Sequence, residues 1–339
     1  MHVAFVSSVP PAACGVADYT ARLGEALASK GILTSFIQGE HWGLWSLGEL
    51  WGRVNNVRPD ILHIQYPTVV YGSGLGPLAL AWRAARTIPV AVTVHEFSQA
   101  HPLRRIAVMG LASGAHHVVF TNPFERSALT KWLPQVWSRS SIVPIGSNIP
   151  FTEPTPGRNV FEVAYFGLIR PNKGLEAFLD LARIAASNRH PFRFVIIGAL
   201  QADRHAYLQS LKEKTQGLDN LTWESSLTSD QVAARLARCG FAYLPFPDGA
   251  SERRGSLLAA LGNGAVVVTT RGPQTPASLG EAVVYADNPA KALKHLEELL
   301  ITPDRMEQLR ARGRAWAQIY SWDAIAEAHL SLYEALLHH

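Results

Sequence analysis

"AYFGLIRPNKGLEAFLDLARIA", residues 164–185, sets out one complete strand–loop–helix unit. Aromatic and aliphatic residues suit a buried strand, and the strand ends beside a glycine, Gly167. The polar loop that follows carries Arg170 and Lys173, and Gly174 leads into a helix. Two cations on a loop at the carboxyl end of a strand are placed to hold a diphosphate. The spacing departs from G-x-x-x-x-G-K-[ST], so a Walker-type nucleotidase is not indicated.

The same unit recurs outward in both directions. In the first half the strand runs are "HVAFVSS" from His2, "ILTSFIQ" from Ile32, "DILHIQY" from Asp60, "PVAVTVHE" from Pro89, "HHVVFTN" from His116 and "SSIVPIG" from Ser140. In the second half "VFEVAYFGLI", "FRFVIIGAL", "LTWESS", "GFAYLPF", "AVVVTT" and "AVVYAD" take that part. Helical patterns lie between them. In "TARLGEALASKG", Leu23 and Leu27 share one face and Gly31 supplies the stop. Near-continuous apolar strands alternating with helices predict parallel sheets covered on both faces. There are too many strands for one sheet. "GSNIPFTEPTPGRN", Gly146 to Asn159, interrupts the alternation with prolines and glycines, as a domain linker does. The predicted class is therefore α/β, with two Rossmann-like doubly wound domains over residues 1–146 and 160–319 joined by a linker at 147–159. Ligands in such folds sit at the carboxyl ends of the strands, so two facing domains are expected to enclose a cleft.

Bulk properties narrow the function classes. The 339 residues are 47% hydrophobic and 17% charged, which fits a folded domain pair and excludes disorder. No apolar run reaches the roughly 18 residues of a bilayer span. "MHVAFVSSVPP" lacks a basic n-region and is expected to be a first strand, not a signal peptide. Cys14 and Cys239 make no disulfide framework, which favours a cytoplasmic location. Residues 1–150 hold 11 Lys/Arg and 7 Asp/Glu, while the remainder is neutral. That bias leaves open peripheral membrane contact through a basic N-terminal domain, beside the plainer reading of ordinary scatter. No Lys/Arg stripe with interleaved aromatics is present, so nucleic acid is not an expected partner. The tryptophan-rich "HWGLWSLGELWGRV", His41 to Val54, is read as a helix packed on its own sheet, with a membrane or acceptor contact as the alternative.

Further motifs fall at strand ends. "SSVPPAACGVADYTARL" puts a loop with one glycine, Gly15, between the first strand and the first helix, where backbone approaches a ligand and the helix start favours negative charge. It is not G-x-G-x-x-G, and "YGSGLGP" follows the third strand, so a nicotinamide cofactor is poorly supported. In "VTVHEF", His95 and Glu96 close an apolar strand on its carboxyl side, whereas His63 is mid-strand and is expected to be packed. "SERRGSLLAALGNGAVVVTT", residues 251–270, follows the strand "GFAYLPF" and the loop start "PDGA". Backbone N–H groups at the Gly255-Ser256-Leu257 helix start suit phosphate oxygens, Arg253 and Arg254 add charge, and Glu252 suits hydroxyls. An anionic, hydroxyl-bearing ligand such as a nucleotide sugar combines both properties.

On these motifs, in this order along nearly the whole length, the chain resembles a glycosyltransferase of the two-Rossmann-domain (GT-B) type, close to the large retaining family 4 (glycosyl transferases group 1). "YSWDAIAEAHLSLYEALL", Tyr320 to Leu337, is similar to the family's closing helix, which implies that 320–339 packs back on the N-terminal domain. The resemblance implies that Gly15 lies near donor phosphates or acceptor, that His95 touches the donor hexose, and that Lys173 matches the diphosphate lysine. The family's arginine just after the strand glycine is replaced by Leu168, so Arg170 is expected to supply that charge. The family's paired glutamates are eight residues apart. Here the pairs are Glu252 with Ala260 or, in the other register, Ser251 with Ala259. The ribose grip is thereby altered, and an active enzyme with a changed hold on the nucleotide is expected.

The implied activity is retaining transfer of a hexose from a nucleotide-diphosphate sugar to a hydroxyl on a saccharide, lipid-linked sugar or small molecule. The leaving phosphate helps to deprotonate the acceptor, with no cofactor and no metal, and no Asp-x-Asp pair is present. Asp18, Gln65, Tyr66 and Glu96 are acceptor-side candidates, each with a structural role as the alternative. Rival readings are a nucleotide-sugar hydrolase or epimerase, a catalytically silent sugar-nucleotide-binding partner, and a structural protein.

Overall fold

The computed structural model describes residues 1–10, 14–153, 157–200 and 205–338. The chain divides into two units, Met1–Gly146 with Trp322–His339, and Ser147–Ser321.

The first unit holds strands β1 (His2–Val6), β2 (Leu33–Ile37), β3 (Ile61–Tyr66), β4 (Val90–Val94), β5 (His117–Phe120) and β6 (Ser140–Ile142), with helices α1 (Gly15–Ser29), α2 (Leu47–Val57), α3 (Gly76–Ala84), α4 (Pro102–Gly114) and α5 (Pro123–Thr130). Every pairing is parallel and the order is β2-β1-β3-β4-β5-β6. β3 and β4 are buried along their whole length, as central strands covered on both faces must be. The order reverses between β1 and β3, and their carboxyl ends form the crevice where ligands of such sheets bind.

The second unit holds β7 (Asn159–Ile169), β8 (Arg193–Leu200), β9 (Leu221–Ser225), β10 (Cys239–Leu244), β11 (Val266–Thr269) and β12 (Val283–Tyr285), with α6 (Leu175–Ser187), α7 (His205–Lys214), α8 (Ser229–Arg238), α9 (Gly255–Gly262), α10 (Pro289–Leu300) and α11 (Pro303–Gln318). The order is β12-β11-β10-β7-β8-β9, again all parallel, with the reversal between β7 and β10. β10 is wholly buried.

The last helix, α12 (Trp322–Leu337), belongs to the first unit. Its Ile325, Ala326, Leu332 and Tyr333 join Val3, Phe5, Tyr19, Leu23 and Leu27 in one core. Lys30 bridges to Asp323 at 2.8 Å and Glu327 at 2.9 Å. The Tyr333 hydroxyl meets Nδ1 of fully buried His63 at 2.5 Å, while His63 Nε2 meets Thr93 Oγ1 at 2.7 Å. With both nitrogens partnered in a dry site, His63 is held neutral and its pKa lies well below the ordinary value, first through burial and then through neighbouring His329.

Two expectations about boundaries need correction. Residues 147–159 are no free linker. The Asn263 side chain accepts from Thr152 N and Oγ1 and donates to Pro150 O, and Phe151 packs against Gly262, so the described part is tied to the end of α9. A proline-rich segment has few backbone donors, and one buried amide satisfies that of Thr152 while also capping the Pro150 carbonyl. The closing helix also starts two residues later than position 320. Tyr320 stays with the second unit, where its carbonyl accepts from Ser147 N at 2.9 Å.

The tryptophan-rich segment packs on its sheet through Leu50 and Val54, and Trp42 is buried against Tyr71 at 4.6 Å between ring centres. Trp45 stays 83% exposed. Among the described residues, no helix is long and apolar enough to cross a membrane.

Candidate functional site

In the second unit the loops that leave β7 and β10 lie side by side. Gly174 has φ +81°, and a Cβ there would come within 2.0 Å of Pro245 O, so only glycine permits this approach. The Tyr165 hydroxyl donates to Lys173 O at 3.1 Å and fixes the β7 loop from beneath. On the other side Thr269 Oγ1 donates to Leu244 O at 2.6 Å, and Thr275 Oγ1 donates to Ala250 O at 2.7 Å. Gly249 (φ +89°) lies so close to Gly272 that a Cβ would meet its nitrogen at 2.3 Å. The loops are thus pinned at the point where the strand order reverses.

These loops bring Arg170, Lys173 and Arg254 into mutual electrostatic range. Lys173 is half-buried, and its pKa is lowered by burial first and then by the charges of Arg170 and Arg254, with Asp248 opposing. Like charges held together out of water favour an anionic guest. Arg254 pairs with Asp248 and lies over the Phe246 ring at 5.0 Å. Arg170 is half-buried and its Nε, shielded from solvent, has no acceptor. An unpartnered guanidinium donor at a crevice is suited to an oxyanion. Arg253 is exposed at the mouth.

The start of α9 completes the cradle. Gly255 is exposed, and among the described residues the N–H groups of Gly255 and Ser256 have no acceptor. Leu257 is different: it is fully buried and its N–H is given to Arg254 O at 2.9 Å, so its expected part in phosphate binding is corrected. Gly167 lies in β7 opposite Gly198, half-buried, with the Tyr165 hydroxyl 3.4 Å from where a Cβ would stand. A cavity of about 520 Å³ opens between the two loops, lined by Pro171, Asn172, Gly174, Pro245, Phe246 and Arg271 among others.

Glu252 is half-buried and accepts from the Tyr320 hydroxyl at 3.3 Å. The positions that would carry a second carboxylate, Ala259 and Ala260, are both fully buried in the packing around α9. A glutamate at either position would desolvate its charge inside the core. The departure from the paired-glutamate pattern is therefore built into the packing of this helix.

The first unit assembles a second group of candidates at the β1/β3 crevice and the neighbouring end of β4. His95 Nε2 meets Gln65 Oε1 at 2.9 Å, and its backbone N–H goes to Tyr66 O. Tyr19, on α1, packs edge-on against the His95 ring with centres 5.0 Å apart. Burial lowers the His95 pKa to about 3, so the ring is neutral at ordinary pH. Gln65 is fully buried and Tyr19 nearly so, yet among the described residues Gln65 Nε2 and the Tyr19 hydroxyl have no partner. Tyr66 is buried and stacked on Tyr71, and Glu96 is half-buried beside His95. Gly15 is the exposed first residue of α1, and Asp18 is exposed in the same first turn.

Sequence reasoning missed Tyr19, Asp248 and Tyr320. Tyr19 directly follows Asp18 in the first turns of α1 and was hidden by its amphipathic helix. Asp248 pairs with Arg254 across a turn of the same loop, and the Tyr320 hydroxyl meets Glu252 from 68 residues away in the chain. The "TT" that ends β11 was a usable signal, because Thr269 and Thr270 at a strand's carboxyl end tie β11 to the β10 loop.

Comparison with known proteins follows this geometry. Residues 161–302 match the family described as Glycosyl transferases group 1. No curated protein sequence matches the chain. Among solved structures, a sucrose-phosphate synthase from Thermosynechococcus elongatus superposes with a TM-score of 0.64 at 17% identity, covering 99% of each chain. A glycosyltransferase from Rickettsia africae gives a TM-score of 0.73 at 13% identity, covering 99% of this chain and 98% of that one. Anabaena HepE in complex with UDP and glucose gives 0.63 at 12% identity, covering 99% and 100%. The chain has the GT-B fold of these glycosyltransferases, and its second unit carries the group 1 pattern.

Proposed function

We propose that the protein is a retaining, metal-independent hexosyltransferase that uses a nucleotide-diphosphate sugar, of UDP or GDP type, and a hydroxyl acceptor. The carrying observation is the gathering of Arg170, Lys173, Arg254 and the open Gly255 and Ser256 amides where the second sheet reverses its order. Such a cradle neutralises a diphosphate in the ground state and stabilises the charge that grows on it as the glycosidic bond breaks. Basic side chains then do what a divalent cation does in other transferases. Glu252, held by Tyr320, accepts from donor hydroxyls. In the first unit, neutral His95 and the unsatisfied polar atoms of Gln65 and Tyr19 suit uncharged hydroxyls, with His95 assigned to the hexose. Asp18, Tyr66 and Glu96 are assigned to the acceptor side. Exposed Trp45 and Leu103, on the carboxyl side of β2 and β4, support an acceptor with an apolar part and contact with a membrane surface. A cytoplasmic location agrees with a nucleotide-sugar donor.

The silent-partner reading is favoured by one observation, the buried alanines in place of the second carboxylate. The two readings part on turnover. Calorimetric titration with UDP and GDP, followed by mass spectrometry of a UDP- or GDP-hexose reaction with an acceptor panel and EDTA present, tests both. Product formation supports the transferase, while tight donor binding with no product across the panel supports the silent partner. No nucleotide binding at all sinks the proposal.

A further inference from the structure

A second cavity, of about 660 Å³, lies in the first unit at the opposite, amino-terminal edge of the sheet. Its walls are the stretch 85–89 that leads into β4, His116 and His117 at the start of β5, Ser138 and Arg139, and Leu332, Ala335 and Leu336 of α12. The lining contains two arginines and two histidines but no carboxylate. Among the described residues Arg86 has no carboxylate partner, and Arg139 donates to the Ala115 and Ser113 carbonyls, with N–H groups to spare. Burial lowers the Arg139 pKa, the direction expected where a cation has lost water without gaining an anion.

The imidazoles sharpen this picture. His116 Nδ1 accepts the Val90 N–H at 3.0 Å, which fixes its proton on Nε2 and makes that nitrogen a donor. His117 Nε2 meets Ser141 Oγ at 3.1 Å, and burial followed by the Arg139 and Arg126 charges lowers its pKa to about 4. It is therefore neutral at ordinary pH and adds no competing charge. Opposite these donors stand the apolar surfaces of Ile88, Pro89, Leu332 and Leu336.

We propose that this cavity binds a small amphiphilic oxyanion, a phosphate monoester or carboxylate attached to an aromatic or short aliphatic group. Arg86, Arg139 and His116 hold the oxyanion, and Ile88, Leu332 and Leu336 cover the apolar body. The ligand bridges the stretch before β4 and the closing helix, so its binding stabilises the docked α12 by mass action. The site is independent of the diphosphate cradle and stands whether or not the proposed transfer activity does.

The test is calorimetric titration of the full chain with phenyl phosphate, inorganic phosphate and neutral phenol. Phenyl phosphate is expected to bind more tightly than either part alone. Arg86→Ala, at an exposed position, or His116→Ala, which also frees the Val90 N–H, is expected to weaken it about tenfold, the loss of one hydrogen bond to a charged group. Hydrogen exchange in α12 is expected to slow on binding. Absence of saturable binding, affinity unchanged from the parent in both Arg86→Ala and His116→Ala, or loss of binding in Lys173→Ala alone would overturn the proposal. So would an Arg86→Ala protein that keeps phenyl phosphate binding but no longer sediments with phosphatidic acid vesicles.

Discussion

The two sheet-reversal crevices are built from the same topology and opposite chemistry. At β7/β10 the loops carry four cations, two carboxylates and two open amides. At β1/β3 the groups that gather are a neutral histidine, a glutamine and a tyrosine, buried enough that His95 carries no charge near neutrality. On the proposed reading the same fold offers a place for a ligand in each, and the side chains decide its chemistry. Charge recognition needs exposed or half-buried cations that an anion can reach. Recognition of hydroxyls needs orphaned neutral donors and acceptors, held stiffly by packing.

The largest expected effect breaks this contrast on the charged side. Lys173→Ala removes a cation from the cradle and is expected to lower the transfer rate by about a hundredfold or more, as loss of one charge-stabilising donor does. Nucleotide-diphosphate affinity in the same variant should fall about tenfold or more by calorimetry. A rate within twofold of the parent would show that the diphosphate is held elsewhere.

Acid exposes the neutral side. His95 and His329 have pKa values of about 3 and about 4, lowered chiefly by burial, and His63 is shifted the same way. The unfolded chain takes up these protons first, near pH 6.5, so the unfolded state binds more protons between that value and the folded pKa. Stability is full above about pH 6.5 and falls as pH drops, by up to about 3 kcal/mol for a single group such as His329. Thermal unfolding followed from about pH 7.5 down to about pH 4.5 should show the decline, and a flat profile would contradict the buried neutral assignment.

Smaller effects refine the supports of the charged crevice. Asn263→Ala removes the buried amide that ties Thr152 and Pro150 to α9, with an expected loss of about 2 kcal/mol in denaturant unfolding. Tyr320→Phe deletes the hydroxyl that holds Glu252. About 1 kcal/mol, roughly fivefold in donor affinity, is expected, with little change in Tm.

The strands of the described residues were legible because most are short apolar runs bounded by loop chemistry, and β10 or β3 has no other way to be buried. The cationic loop was legible too, since Arg170, Lys173 and Gly174 are adjacent in the chain. Contacts between distant segments were not. Nothing local in "IPFT" announces that Asn263 will satisfy it, and nothing in α9 says that the Leu257 amide is spent on Arg254 O. His63 was read as packed because it is mid-strand, yet its partner Tyr333 lies 270 residues further on.

That distance has a consequence for how the chain comes into being. The core that Val3, Phe5 and Leu23 share with Ile325, Leu332 and Tyr333 has no lid until the final helix is synthesised. On the ribosome the second unit can close while the first still shows an apolar face. A fragment ending at Gly146 would carry that bare face permanently and is expected to aggregate, while the same fragment supplied with a peptide of residues 322–337 should become soluble.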